Sequence, residues 1–151
     1  MMTSLPIRRF VAPALLMLAA CSNVAQAATY QMFRDPNCGC CELWADHVRT
    51  EAETEITETV TSDMGAIKTS YGVPQELWSC HTMVVDGYVI EGHVPAEQIA
   101  RLLAERPEGV RGLAVPGMPL GSPGMEMGDR TQPYQVIAFG DVGQSVFANY
   151  E

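Results

Sequence analysis

The sequence predicts an α/β domain, and three observations carry that expectation. Segments that alternate apolar and polar residues at period two are interleaved with segments whose apolar residues recur every 3.6 positions. Gly, Pro, Asp and Asn punctuate the boundaries between them. Three cysteines, Cys38, Cys40 and Cys41, stand where the first helical pattern begins.

"TYQMF" at 29–33 reads as a strand, closed by the turn residues of "RDPN". From 38 to 52 the pattern is helical, with Cys41, Trp44, Ala45, Val48 and Ala52 on one face and Cys38 and Cys41 on adjacent turns of that face at the N-terminal end. "TEITETV" at 54–60 reads as a half-buried strand. "DMGAIKTSYG" at 63–72 reads as a short helix, capped by Asp63 and stopped by Gly72. The run "HTMVVDGYVIEGHV" at 81–94 is a hairpin signal around Asp86-Gly87. Pro95 opens a last helix, whose stripe of Ile99, Leu102 and Leu103 ends before Pro107. Strand, helix, strand, helix, hairpin, helix is the order of a thioredoxin-like domain, and the C-x-x-C of Cys38 and Cys41 at the first helix mouth strengthens that expectation.

Beyond Pro107 the chain changes character. Residues 112–133 are rich in Gly and Pro, carry Met118, Met125 and Met127, and are expected to form no regular element; a loop of this length is usually functional or disordered. "YQVIAF" (134–139) and "SVFANY" (145–150) then pair as a C-terminal β-hairpin. No repeat and no second domain is visible.

The first residues read as an address. Arg8 and Arg9 precede the apolar run 10–20 and the small residues "AQA" at 25–27, so 1–27 is expected to be a secretory signal peptide and 28–151 one exported, periplasmic domain. A competing reading of "LAAC" at 18–21 is a lipoprotein box, in which Cys21 is lipidated and anchors the chain to a membrane. Two of the nine basic residues and none of the eighteen acidic ones fall in 1–27, which leaves seven against eighteen, a net charge of −11, over 28–151. Nucleic acid is excluded as a partner on that balance, and most of the carboxylates are expected to form a solvated face.

An exported chain keeps its cysteines in an oxidising compartment, where disulfides form. Cys38, Cys40, Cys41 and Cys80 allow three full pairings, and a structural disulfide from Cys38 or Cys40 to Cys80 is one alternative. Another is thiol–disulfide exchange, with Cys38 as nucleophile and Cys41 as resolving residue at a helix N-terminus that stabilises thiolates. Cys40 does not suit exchange, because a third thiol inside the pair interferes with it. A soft-metal centre gains a ligand from it. Cys80 and His81 fall in the loop that faces the cysteine pair in thioredoxin-like proteins, where those proteins carry a cis-proline. His93 is a further candidate ligand or an ordinary loop residue; His47 lies away from the cysteine face and is expected to be solvated. Met118 and Met125 are candidate soft ligands or gates over the site, with Met127 weaker. Four thiols with methionine in reach suit Cu(I), and silver equally; a plain four-cysteine tetrahedron would suit zinc, whose sites show two separated pairs.

The stretches "DPNCGCCELW", "SCHTMVVDGYVIEGHVP" and "RGLAVPGMPLGSPGMEM" resemble the exported metal-binding proteins of the CopG type, found with bacterial copper and silver resistance systems. The resemblance spans roughly 29–150. It implies a thioredoxin-like domain that binds copper and converts it between Cu(I) and Cu(II) in the periplasm, alongside other copper-resistance proteins. Carried over by motif, the thiolates are Cys38, Cys40, Cys41 and Cys80, with His81, His93, Met118 and Met125 in the flanking motifs. Whether the protein is an enzyme, a copper oxidoreductase, is left open.

Overall fold

The computed structural model describes residues 28–151; the expected signal segment, with Cys21, lies outside the described residues. The chain forms β1 (Tyr30–Arg34), α1 (Gly39–Glu51), β2 (Ile56–Val60), α2 (Met64–Ser70), a 3₁₀ turn (Gln75–Leu77), β3 (His81–Val85), β4 (Tyr88–Glu91), α3 (Ala96–Glu105), β5 (Val110–Ala114), β6 (Tyr134–Gly140) and β7 (Gly143–Tyr150). All seven strands join one mixed sheet in the order β2-β1-β3-β4-β5-β6-β7. The sheet is larger than a thioredoxin-like domain requires. No helix among the described residues is long and apolar enough to cross a membrane.

The elements through α3 follow the expected order, with boundaries within three residues. β1 and β2 run parallel around α1, while β3 runs antiparallel to β1 and pairs with β4 through the Asp86-Gly87 turn. The strand β5 was not anticipated. Gly112, Leu113 and Ala114 belong to a regular strand parallel to β4 and antiparallel to β6, which corrects the expectation that 112–133 holds no regular element. Gly112 is required there, because a Cβ would lie 2.1 Å from Val89 O and 2.7 Å from Phe139 Cζ. The glycine that disguised the strand is what lets Phe139 pack over it.

Met32, Met83, Ile90, Leu113 and Ala138 are paired side by side across five adjacent strands and belong to one buried cluster. The apolar faces of α1 (Cys41, Trp44, Ala45, Val48) and α3 (Ile99, Leu102) close over them. On the opposite face Val89, Ala114 and Phe139 pack with Val73 and Leu77. Arg34 and Arg49 both hold Glu58, each at 2.5 Å, and so tie the end of β1, α1 and β2 together. Burial acts to raise the Glu58 carboxyl, but the two guanidinium partners outweigh it and hold it below the usual carboxylate value.

The remaining loop is ordered by turns. Ser122 N donates to Pro119 O, Met125 N to Ser122 O and Gln132 N to Leu120 O, and Ser122, Pro123 and Gly124 are buried. Because Leu113 is fully buried between Ile90 and Ala138, Leu113→Ala is expected to destabilise the fold by about 3 kcal/mol in a denaturant titration. A loss under about 1 kcal/mol would mean that β5 is not part of the core.

Candidate metal centre

The site forms where the mouth of α1 meets the start of β3. Cys38 caps α1 without a side-chain hydrogen bond, so the cysteines sit at a helix end whose first backbone N–H groups have no side-chain cap. Cys38 and Cys41 are joined as a disulfide, with Cα atoms 5.3 Å apart. Cys40 and Cys80 are free thiols, both half-buried. The alternative of a disulfide from Cys38 or Cys40 to Cys80 is thus replaced by the C-x-x-C pairing.

Cys40 Sγ lies 3.6 Å from Cys38 Sγ and 3.8 Å from Cys80 Sγ, so the three helix-mouth cysteines and the loop cysteine form one cluster. Their ligand atoms all fall within 4.8 Å of one another. Cys80 also belongs to a second set of the same compactness, with His81 and His93. His93 Nε2 is 2.9 Å from Cys80 Sγ and His81 Nδ1 is 3.5 Å from it.

The His93 tautomer follows from its other contact. Nδ1 is 2.8 Å from Pro123 O, and a carbonyl can only accept, so Nδ1 carries the proton and Nε2 presents a lone pair to Cys80. The Cys80 thiol therefore donates to an imidazole, an arrangement that keeps the sulfur protonated. Burial is the largest influence on this thiol, with repulsion from Cys40 next, and together they push it up from 9.0 to about 12. His81 and His93 are both fully buried, and burial pushes both imidazoles below the ordinary histidine value. Without a metal the loop side of the centre is neutral.

His81 lies against Trp44, ring centroids 4.2 Å apart, and edge-on to His93 at 5.1 Å. Its Nε2 is buried with no hydrogen-bond partner. A buried imidazole nitrogen without a partner, on a ring whose Nδ1 lies against Cys80, is a poor core group and a ready donor to a cation. Trp44 is fixed in turn by Nε1 donating to Val94 O at 2.9 Å.

Met118, at 53% exposed, and Met125, half-buried, lie on the Gly/Pro-rich loop. The loop that carries them does reach the centre: Pro123 O orients His93, Ser79 Oγ donates to Gly117 O beside Cys80, and Gly124 sits against α1. A Cβ on Gly124, whose φ is +80°, would lie 2.7 Å from both Cys40 O and Trp44 N. His47, expected in solvent, is half-buried, and its Nε2 accepts from Ala96 N at 3.2 Å at the start of α3. Trp44 was visible in the sequence as part of the helical stripe, whereas Ser79 and Pro123 carried no signal.

The comparisons with known proteins fit this geometry. A family model described as "Protein of unknown function, DUF411" matches residues 77–125. No curated protein matches the chain. A solved structure titled copper resistance protein CopG, form 2, is 45% identical with a TM-score of 0.77, covering 83% of this chain and all of that one. Form 1 of the same title is 48% identical with a TM-score of 0.73, covering 81% of this chain and 96% of that one. The chain belongs to the CopG family. Residues 77–125 span Cys80, His81, His93, Met118 and Met125 but not the helix-mouth cysteines, so the family model captures the loop half of the centre and the CopG structures span nearly the whole described domain.

Two outcomes test this geometry without any metal. With the Cys38–Cys41 disulfide intact, alkylation of Cys80 by iodoacetamide is expected to climb about tenfold per pH unit through and beyond pH 9, since only the thiolate reacts. A plateau near 9.0, read by peptide mass mapping, would mean that Cys80 is an ordinary thiol. Gly124→Val is expected to lift the loop from α1, cost about 2 kcal/mol of stability and speed the alkylation of Cys40. Unchanged stability and labelling would place the loop elsewhere.

Proposed function

We propose that this is an exported copper-binding protein of metal resistance whose cysteine centre holds Cu(I), accepts silver, and interconverts Cu(I) and Cu(II). The observation that carries the reading is the convergence of four cysteine donors from two distant segments, with two imidazoles sharing Cys80. A thiolate-rich set suits a soft monovalent ion. The imidazoles of His81 and His93 suit the harder Cu(II). A closed four-cysteine zinc site would leave those imidazoles without a role. The names of the solved relatives, copper resistance protein CopG, point the same way.

On this reading Cys38, Cys40, Cys41 and Cys80 are the thiolate ligands. His93 offers Nε2, already oriented by Pro123, and His81 joins from β3. Met118 and Met125 serve as soft donors or gates where the loop meets solvent. Cys38 and Cys41 are also the redox pair. Two Cu(II) ions each take one electron, the two sulfurs supply both electrons as they join in the disulfide, and any thiol protons pass to solvent. Restoring the dithiol takes a two-electron thiol reductant. In the disulfide state Cys40, Cys80, His81 and His93 remain as donors.

We read β1 to α3 as a thioredoxin-like unit on which β5, β6 and β7 build an extension; the order β2-β1-β3-β4 supports this. We also read 1–27 as the export signal of a periplasmic protein, with Cys21 as a lipid anchor in the alternative, and other copper-resistance proteins of that compartment as its partners. A second reading, a thiol–disulfide oxidoreductase using Cys38 and Cys41, is favoured by the disulfide at the mouth of α1.

Anaerobic titration of the reduced mature protein with Cu(I) against a competing chelator separates the two. The expected outcome is more than one tightly held Cu(I) per chain, sharply reduced in Cys40→Ser and in Cys80→Ser. Background copper binding, together with disulfide reductase activity indifferent to Cys40→Ser, would replace the metal reading with the oxidoreductase.

A further inference from the structure

Glu91 belongs to neither donor set, yet it is fully buried and grips both sides of the Cys80–His81 dipeptide. Ser79 N donates to its Oε1 at 2.6 Å, and Thr82 Oγ1 donates to its Oε2 at 2.7 Å. Lys68, 3% exposed on α2, reaches the same Oε1 at 2.6 Å and Thr82 Oγ1 at 3.1 Å. Glu91 and Thr82 are direct partners in the β3–β4 ladder. Successive side chains of a strand point to opposite faces, so Thr82 and Glu91 lie on the α2 face while the His81 ring lies on the face with Trp44. The carboxylate acts from the far side of the sheet.

Ser79 precedes the ladder, so its N–H has no strand partner, and the Glu91 carboxylate takes that place. No cis peptide bond shapes this loop. Its position is set instead by charged, directional hydrogen bonds on either side of two consecutive donors. A buried ion pair is a weak source of net stability, since well-packed apolar residues of similar volume commonly do as well. Apolar residues cannot hold Ser79 N and Thr82 Oγ1 at fixed distances.

We infer that Glu91, with its charge balanced by Lys68, is a positioning residue that sets Cys80 and His81 against the α1 cysteines. The inference rests on the reading of this cluster as a metal centre, so its test uses a probe that needs no copper. Phenylarsine oxide bridges two neighbouring thiols with release of water. With the Cys38–Cys41 disulfide retained, it reports the Cys40 to Cys80 spacing of 3.8 Å. The double variant Lys68→Met/Glu91→Leu is expected to melt cooperatively near the wild-type temperature yet bind the arsenical about tenfold more weakly, the scale of one lost charge-assisted hydrogen bond. Wild-type affinity in that folded variant overturns the inference. Should the double variant not fold, Thr82→Val removes a single arm of the bracket. A drop of about threefold then supports the role, and an unchanged affinity overturns it. Cu(I) titration of the same proteins keeps the two readings apart: a wild type that grips the arsenical and takes no copper sinks the metal centre alone.

Discussion

The register of β1 against β3, in which Arg34 stands opposite His81, is the constraint on which the site depends. β1 ends at Arg34, and the chain turns at once through Asp35, whose carboxylate and carbonyl accept from Asn37 N and Cys38 N at 2.9 and 3.2 Å, into α1. The mouth of the helix therefore overhangs the end of the sheet where β3 begins. A slip of one residue would carry His81 to the α2 face and Thr82 beneath Trp44, and would undo the Met32–Met83 pairing that runs through the core. Core and centre are specified by the same ladder.

This explains what could be read from the sequence. Local signals sufficed for β1, α1, α2, the β3–β4 hairpin and α3, because each is announced by its own periodicity, cap or turn. The cysteines announced themselves by type and spacing. β5 was hidden because its signal is short and its glycine reads as loop; only the approach of Phe139 and Val89, distant in sequence, makes Gly112 the fitting residue. His47 was misplaced for a related reason, since its partner, Ala96 N, is supplied by the start of another helix. Lys68 and Glu91 were overlooked, although a glutamate inside the apolar run "YVIEGHV" is an anomaly that a buried partner would explain. The partner is 23 residues away and is placed by tertiary packing.

Electrostatics at the centre follow from burial more than from the acidic balance of the whole chain. The surface carboxylates are mostly solvated and screened, and they act on cations at long range only weakly. At the loop side of the centre, burial disfavours three charged forms: Cys80 stays a thiol, and His81 and His93 stay neutral. A cation that binds there must displace the Cys80 proton, so binding strengthens as the pH rises. The neutral imidazoles present lone pairs and need no such step.

On the proposed reading, the sharing of Cys80 between the two donor sets links metal preference to sulfur oxidation. When Cys38 and Cys41 are dithiol, the cluster is dominated by sulfur and favours the lower oxidation state of copper. When they are disulfide, two strong donors are withdrawn and the remaining set, Cys40, Cys80, His81 and His93, is balanced between sulfur and nitrogen. The electrons that change the metal thus also change the ligands that hold it. Such coupling needs Cys80 to serve both states from one position, and its thiol is held by His93 on one side while its backbone is bracketed through Glu91 on the other. On that reading, a fixed sulfur between a changeable pair and two oriented imidazoles would let one small cluster hold copper in either state.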